Sequence, residues 1–306
     1  MSSTFESIGT PHDPARRGLL GALMLAALGA GCGQQGGGPD DGPAFLRVPE
    51  AQKSVAELQI HFNQTVDAWN LVVMADSEDV ARSYAAEAEQ HYQAVLRLTD
   101  QIAAVVRDLQ LDAGISALEA FRSGLEQAQI LGHTVAELAL ENSNRKAVAL
   151  SDGPAQEALD ALQVALGALS AAAPRARHDR AELLGLRLLV SLYEVQALHP
   201  RHIREADDAA MTVQEQRMDA RAAAAGELHK ELSDLVRDEE ALTAATTSLN
   251  RFMEIHAQIL ALSRRNTNVR ALALSMGELR EVTVSCAKDL DALATALITD
   301  GSTATR

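Results

Sequence analysis

One segment occurs twice in this chain: Asn142-Ser-Asn-Arg-Lys-Ala-Val-Ala-Leu-Ser151 reappears 124 residues later as Asn266-Thr-Asn-Val-Arg-Ala-Leu-Ala-Leu-Ser275. The copies share an Asn-x-Asn opening, a basic residue and an Ala-x-Ala-Leu-Ser ending. Self-similarity at a fixed distance is typical of one structural unit used twice. The chain is therefore expected to contain two repeats, residues 50–175 and residues 176–298.

The spacing upstream of this segment indicates that the repeats are helical. Phe121 matches Phe252 at a distance of 131 residues, so the first copy has seven more residues between its Phe and its Asn motif. Seven residues are one heptad, and such an insertion lengthens a helix without turning its buried face away from its neighbours. Further upstream, Val106-Arg107-Asp108 matches Val236-Arg237-Asp238.

Composition and periodicity predict an all-α fold. Aromatic residues make up only 3% of the chain, which argues against a sheet-rich fold. Apolar residues recur at steps of three and four, which predicts helices packed at shallow angles. Two such seams are Val80, Tyr84, Ala88, His91, Val95, Leu98, Ile102, Val105, Leu109 and Leu183, Leu186, Val190, Tyr193, Ala197. The expected architecture is an elongated antiparallel four-helix bundle built from two helical hairpins, or two tandem four-helix bundles; the heptads do not choose between them.

Helix breaks are predicted at matching places in the two copies. Asp112-Ala-Gly114 and Asp238-Glu-Glu240 separate the second and third helical stretches. Ser151-Asp-Gly-Pro154 and Ser275-Met-Gly277 separate the third and fourth. His199-Pro200 is expected to interrupt the second copy, because a proline inside a helix removes a hydrogen bond and clashes with the preceding turn.

The first 31 residues are typical of an export signal. Arg16 and Arg17 precede an uncharged run of 14 residues that ends at Gly31, which is too short to span a membrane. The small residues before Cys32 resemble the lipobox of bacterial lipoproteins, and this resemblance implies that Cys32 is lipidated and becomes the N-terminus. The arginine pair resembles a twin-arginine export signal. An ordinary signal peptide followed by an unmodified cysteine is the alternative.

A Gly-, Pro-, Gln- and Asp-rich stretch follows the cysteine, so residues 32–49 are expected to form a lipidated flexible tether. Residues 299–306 are expected to form a tail. Gly33 stands where lipoproteins retained in the inner membrane carry Asp. By this resemblance, the protein is expected in the cell envelope, anchored by its lipid in the outer membrane and facing the periplasm.

Charge and motifs exclude several classes of function. The formal net charge of −15 argues against a nucleic-acid partner, which requires basic patches. Two cysteines cannot form a disulfide scaffold. The sequence contains no Glu-x-x-His pair for a di-iron bundle, no Cys-x-x-Cys-His haem motif, no phosphate-binding glycine loop and no Gly-x-Ser-x-Gly elbow. We therefore expect no enzymatic activity, no catalytic residues, no metal and no cofactor.

The repeated Asn-x-Asn-x-Lys/Arg-Ala-x-Ala-Leu-Ser segments, each with a Phe upstream, resemble the four-helix-bundle ligand-binding region of methyl-accepting chemotaxis receptors. The similarity covers about residues 50–298. It implies binding of small solutes, often organic acids or amino acids, or of partner proteins. Those receptors continue into a transmembrane helix and a signalling coiled coil, which this sequence does not contain, so a signal is expected to pass to another protein.

Polar residues on the predicted seams have two interpretations each. Asn142 and Asn266 either fix the register of packed helices or line a carboxylate pocket together with Lys146 and Arg270. His91 is expected to be a satisfied core histidine or a pH-sensitive contact.

Two further groups of residues are open to the same question. His199 and His202, with the acidic residues Glu205, Asp207 and Asp208 behind them, form a helix cap or a metal site. Cys286 aligns with Leu162 and is expected in the core.

These observations predict a lipid-anchored, non-enzymatic envelope protein. Its helical bundle is expected to bind a small solute, a partner protein or further copies of itself. The alternative is a structural spacer or scaffold without a small ligand.

Overall fold

The computed structural model describes residues 44–303, with side chains for residues 47–299. The predicted export signal with Arg16 and Arg17, and the predicted lipidation site Cys32, lie outside the described residues. Within them the chain contains helices and no strands, which confirms the all-α prediction. Across this part of the chain, none of the helices combines the length and apolar character needed to cross a membrane.

Ten α-helices and one π-helical turn make up the described chain. They are α1 (Ala44–Met74), α2 (Glu78–Asp108), α3 (Asp112–Glu141), α4 (Ser143–Asp152), α5 (Pro154–Ala172), α6 (His178–Arg204), α7 (Asp208–Leu235), α8 (Glu239–Arg265), α9 (Thr267–Leu274), the π-helical turn Ser275–Leu279 and α10 (Arg280–Thr303). The break at residue 153 lies within the predicted break 151–154. The breaks at residues 109–111 and 236–238 lie three and two residues before the predicted breaks 112–114 and 238–240, because α3 already begins at Asp112 and α8 at Glu239. In the second copy the predicted break at Ser275-Met-Gly277 is the π-helical turn.

The last three helices of each copy pack antiparallel against those of the other. Helix α3 packs against α9 and α10, α4 against α8 and α9, and α5 against α8. Short breaks at Asn142 and Asn266 do not fold these helices back on themselves. The last three helices of the two copies therefore run past each other along their whole length.

This arrangement produces two tandem four-helix bundles. Helices α1, α2, α3 and α10 enclose one apolar core. Helices α5, α6, α7 and α8 enclose the other. The tandem architecture was one of the two predicted alternatives, but a single copy does not close its own bundle. Each bundle instead takes three helices from one copy and its fourth helix from the other copy.

Three predicted boundaries differ from the structure. Helix α1 begins at Ala44, inside the predicted tether 32–49, and α10 continues to Thr303, inside the predicted tail 299–306. Pro200 does not interrupt α6, which ends four residues later at Arg204. Proline costs one backbone hydrogen bond near a helix end, and buried side chains on both sides of Pro200 hold this last turn in place.

The predicted seam of α6 is wrong. Leu183, Leu186, Val190 and Tyr193 are exposed, whereas the buried face of α6 carries a different row, which includes Leu184, Leu188, Leu192 and Val195. Both rows are apolar with helical spacing, so periodicity could not say which one faces the core. In α2 the predicted seam is partly correct, because Ala88, Val95 and Ile102 are buried while Val80 is exposed.

Candidate functional site

The repeated Asn motif forms the junction between the two bundles. Asn142 and Asn266 both adopt left-handed backbone conformations, with φ, ψ of 55°, 40° and 51°, 37°. Asparagine is one of the few residues that tolerates this region. Each of them ends one helix, and the next begins at the following residue, so the motif breaks both long helices at the same level.

Side chains of each copy cap the new helix of the other copy. The backbone N–H of Ser143 donates to Thr267 Oγ1 (3.0 Å), and that of Thr267 donates to Ser143 Oγ (3.1 Å). The N–H of Asn144 donates to Asn268 Oδ1 (3.2 Å), and that of Asn268 donates to Asn144 Oδ1 (3.1 Å). The first N–H groups of a helix lack partners within it, so this reciprocal capping satisfies them and locks the two copies together.

The first asparagines of the motif complete the junction. Asn142 Oδ1 accepts from Asn268 Nδ2 at 2.9 Å, and Asn266 Oδ1 accepts from Asn144 Nδ2 at 2.8 Å. Asn266 Nδ2 donates to the carbonyl of Glu205. These bonds join the two copies across an approximate two-fold axis.

The four residues predicted to bind a carboxylate do not converge on one cavity. Lys146 Nζ donates to the Glu141 carbonyl (2.8 Å) and forms an ion pair with Glu78 (3.2 Å). Arg270 is exposed. Because the amides of Asn142 and Asn266 bond within the protein, their contacts support the register-fixing interpretation.

A buried polar network lies beside this junction, inside the second bundle. His199 Nδ1 is 3.1 Å from Ser151 Oγ, and His199 Nε2 is 2.9 Å from His256 Nδ1. His202 Nδ1 is 2.7 Å from Ser263 Oγ. All three histidines are at most 3% exposed. The network therefore connects α4, α6 and α8 through hydrogen bonds rather than through apolar contacts alone.

The ion pair between Glu215 and Arg264 lies at the outer side of this network, next to His202. Glu215 accepts a hydrogen bond from Arg264 at 2.6 Å on each of its two carboxylate oxygens, and one of these oxygens is 3.0 Å from His202 Nε2. Hydrogen bonding from Arg264 lowers the pKa of Glu215. The Ser263–His202–Glu215 chain contains the residue types of a catalytic triad, but Ser263 Oγ donates to the His202 carbonyl and is fully buried. Its contacts connect α6 and α8.

Burial keeps these histidines neutral. It lowers the pKa of His199 to about 3, with His256 and His202 adding repulsion. Burial also lowers the pKa of His202 and of His256. A neutral imidazole has one nitrogen that donates and one that accepts, which suits the contact between His199 Nε2 and His256 Nδ1.

The acidic residues after His202 form hydrogen bonds and an ion pair around the start of helix α7. Asp207 accepts from the N–H of Ala210 at 2.7 Å and caps α7, whereas Asp208 pairs with Arg264. Glu205 accepts from two backbone N–H groups. Over residues 44–303, no group of three or more His, Cys, Asp or Glu side chains is placed to hold a metal ion. The cap interpretation of these residues is therefore the one that the contacts support.

Two other predicted seam residues are paired or buried. His91 is half-buried, and its Nδ1 lies 3.0 Å from His61 Nδ1. Cys286 is fully buried and free, which confirms its predicted core position. Burial raises its pKa to about 11. A Cβ on Gly124 would lie 2.7 Å from the Cys286 sulfur, so this glycine allows α3 and α10 to approach closely.

A cavity of about 350 Å³ opens between α1 and the π-helical turn. Ten residues line it, and none of them is acidic: Val66, Asn70, Val73, Met74, Leu272, Ser275, Met276, Leu279, Arg280 and Thr283. Ser275 Oγ donates to Asn70 Oδ1 at 2.6 Å on its wall. Among the described residues, Arg280 has no ion-pair partner. An apolar cavity with a few polar groups and a free cation is the usual form of a small-molecule site.

Sequence reasoning missed both this cavity and the histidine network. The π-helical turn widens the backbone at Ser275–Leu279, and π-helical turns often occur at functional sites. In the sequence, the only sign of the π-helical turn is that Ser275-Met-Gly277 does not match the corresponding segment of the first copy, Ser151-Asp-Gly-Pro154. The network joins residues from three helices, which no local spacing reveals.

The fold and these sites define an all-α protein of two interlocked four-helix bundles. No model of a known protein family matches the chain, and no curated protein matches it significantly.

Proposed function

We propose that this is a non-enzymatic cell-envelope protein, anchored by a lipid on Cys32, whose double bundle binds a small amphipathic carboxylate. The cavity beside the π-helical turn carries the proposal. Val66, Val73 and Leu279 offer an apolar wall, and Arg280 offers an unpaired guanidinium at the same cavity. Guanidinium groups bind carboxylates through two parallel hydrogen bonds.

The rim of the cavity suits ligands of varied shape. Met74 and Met276 are 75% and 65% exposed, and methionine side chains adapt readily to different apolar partners. A volume of about 350 Å³ accommodates a small organic acid rather than a peptide. This ligand class agrees with the one implied by the resemblance to chemotaxis receptors.

Thermal unfolding of the purified chain with hexanoate, leucine or phenylacetate tests this function. A carboxylate at about 100 times its Kd stabilises the folded state by about 2.7 kcal/mol, which raises the Tm of a chain of this size by roughly 4–5 °C. Pentylamine, which has the same five-carbon alkyl chain as hexanoate and the opposite charge, is expected to leave the Tm unchanged.

Arg280→Gln is expected to abolish the shift, whereas Arg270→Gln removes an exposed arginine outside the cavity and is expected to preserve it. Loss of the shift in both variants, or in neither, would contradict binding at this cavity.

Membrane anchoring has a separate test. Cys32→Ala is expected to move the protein from the membrane fraction to the soluble fraction of fractionated cells. A variant that stays with the membrane would refute the lipid anchor but would leave the binding function open.

A structural spacer is the second candidate, favoured by the reciprocal capping that locks the two bundles end to end. A spacer needs no ligand, so Arg280→Gln would retain full function in cells in which deletion of the protein has a phenotype. Loss of function in Arg280→Gln cells, with Arg270→Gln cells unaffected, would exclude the spacer.

A further inference from the structure

Helix α6 carries an apolar stripe on its outer face. Between Glu182 and Ala197 it exposes eight residues, of which five are apolar and three are charged. The apolar ones are Leu183, Leu186, Val190, Tyr193 and Ala197, and the exposed fractions of the four large side chains are 47%, 55%, 57% and 37%. We call these five residues the outer stripe.

The outer stripe has the spacing of a coiled-coil seam. Its members are separated by three, four, three and four residues, which is the a/d pattern of a helix that pairs with one other helix. The fold does not use this face, because α6 already packs on α5 and α7 through a separate buried row that includes Leu188 and Leu192. A helix with apolar rows on two faces has two partners, and within the described chain only one side is covered.

The charges beside the outer stripe are complementary to those of a second copy. Glu182 precedes the first a position and Arg187 follows the first d position, so they occupy g and e positions. In a parallel pair of helices, a g residue lies beside the e residue of the next heptad on the partner. Glu182 of each copy would then lie beside Arg187 of the other copy. The two-fold axis of the dimer relates the two pairs. Neither residue forms an ion pair among the described residues.

The same charges disfavour the antiparallel arrangement. Antiparallel pairing with these a and d positions aligned would place Arg187 against Arg187 of the second copy, and like charges in contact repel. Glu194, the third exposed charge, already pairs with Arg221 of its own chain at 2.9 Å. These charges therefore favour a parallel partner that carries Glu and Arg at the same two positions. A second copy of this chain meets that requirement.

We propose that the outer stripe of α6 is the interface through which two copies of this chain pair in parallel. The contact is isologous and closes as a dimer, because each copy presents the same face to the other. Leu183, Leu186, Val190 and Tyr193 form its apolar centre. The inference is independent of the proposed ligand, since the cavity lies in the other bundle.

Sedimentation velocity of the full chain carrying Cys32→Ala tests this interface without a lipid that could itself cause association. The chain is expected to sediment as a dimer and to dissociate on dilution. Leu186→Glu/Val190→Glu is expected to be monomeric, and because both side chains are more than half exposed the variant keeps its fold, as circular dichroism would show. Ile60→Glu/Ile130→Glu makes the same change at exposed positions of the first bundle and is expected to remain dimeric.

Charge exchange tests the orientation. Glu182→Arg and Arg187→Glu are each expected to raise the dimer Kd by roughly tenfold, because each turns two attractions into two repulsions. Mixing the two variants restores both attractions in a heterodimer and is expected to recover the wild-type Kd. A chain that is monomeric at every concentration, an equal loss of dimer in both Glu double variants, or no recovery on mixing would each overturn the proposal.

Discussion

At the scale of single residues, two glycines that look alike in the sequence have opposite roles. Gly132 in α3 lies against the Trp69 ring of α1, where a Cβ would overlap the indole, whereas nothing lies within 4 Å of a Cβ on Gly226 in α7. Both lie in helical segments of ordinary composition. The sequence predicted the helices but not which glycine is required, because that depends on a side chain 63 positions away.

Gly132→Ala is therefore expected to lower the free energy of unfolding by about 1–3 kcal/mol, because the added methyl overpacks the core. Gly226→Ala is the matched control and is expected to raise it by about 0.5–1 kcal/mol, because alanine is the better helix former. Urea denaturation of both variants measures the two changes. Equal effects in the two variants would show that the Trp69 contact does not restrict residue 132.

The histidine network predicts a pH dependence with a definite sign. The pKa of His199 is about 3 in the folded chain and about 6.5 in the unfolded chain. The unfolded chain therefore binds more protons between these values, so stability is complete above about pH 6.5 and falls as the pH falls toward 3. The pKa values of His202 and His256 are lowered too, and their contributions have the same sign.

Between pH 6 and pH 5, the free energy of unfolding is expected to fall by about 1 kcal/mol through His199, and the lowered pKa values of His202 and His256 add to this fall. Denaturant titrations at the two pH values measure it. His199→Gln removes one titrating group and is expected to reduce the slope. An unchanged slope in that variant would contradict the assignment to His199.

At the scale of the elements, the junction depends on the second asparagine of each motif as much as on the first. Asn144 makes three side-chain hydrogen bonds, to Asn266, to the carbonyl of Ile203 and from the N–H of Asn268. The sequence placed Asn142 and Asn266 on a seam but did not predict that they break the helices. Their left-handed backbone is set by the opposing motif, which holds the side chains of both.

Asn144→Ala is expected to cost about 2–4 kcal/mol of stability, because it leaves buried backbone and amide groups without partners. Asn250→Ala, at an exposed position of α8, is expected to change stability by less than about 0.5 kcal/mol. Combined with Asn268→Ala, the loss from Asn144→Ala is expected to be less than additive, because the two residues share hydrogen bonds. Full additivity in a double-mutant cycle would contradict reciprocal capping.

At the scale of the whole molecule, each bundle contains a helix from the other repeat. Helix α5 of the first copy packs in the second bundle, and α10 of the second copy packs in the first bundle. Residues 173–177 are the direct covalent link between the copies, and residues 174–177 are exposed. The copies are therefore held together by two cores and by the junction as well as by this link.

Cleavage at an engineered protease site in residues 174–177 is expected to leave the two fragments associated, because separating them would expose both cores to water. Gel filtration without denaturant is expected to give one peak that contains both fragments, and denaturant is expected to separate them. Separation in plain buffer would refute the exchange of helices.

The sequence by itself determined the all-α class, the two repeats, the approximate positions of the breaks between α2 and α3, α4 and α5, and α7 and α8, and the core position of Cys286. These follow from local propensity, periodicity and self-similarity, which act along the chain. Only the tertiary structure decided that the copies exchange their last helices, that α6 turns Leu184 and Leu188 inward and leaves Leu186 and Val190 outside, and that Arg280 meets a cavity. Each of those outcomes depends on the packing of helices far apart in sequence, and a heptad pattern states that a helix has a partner without stating which one.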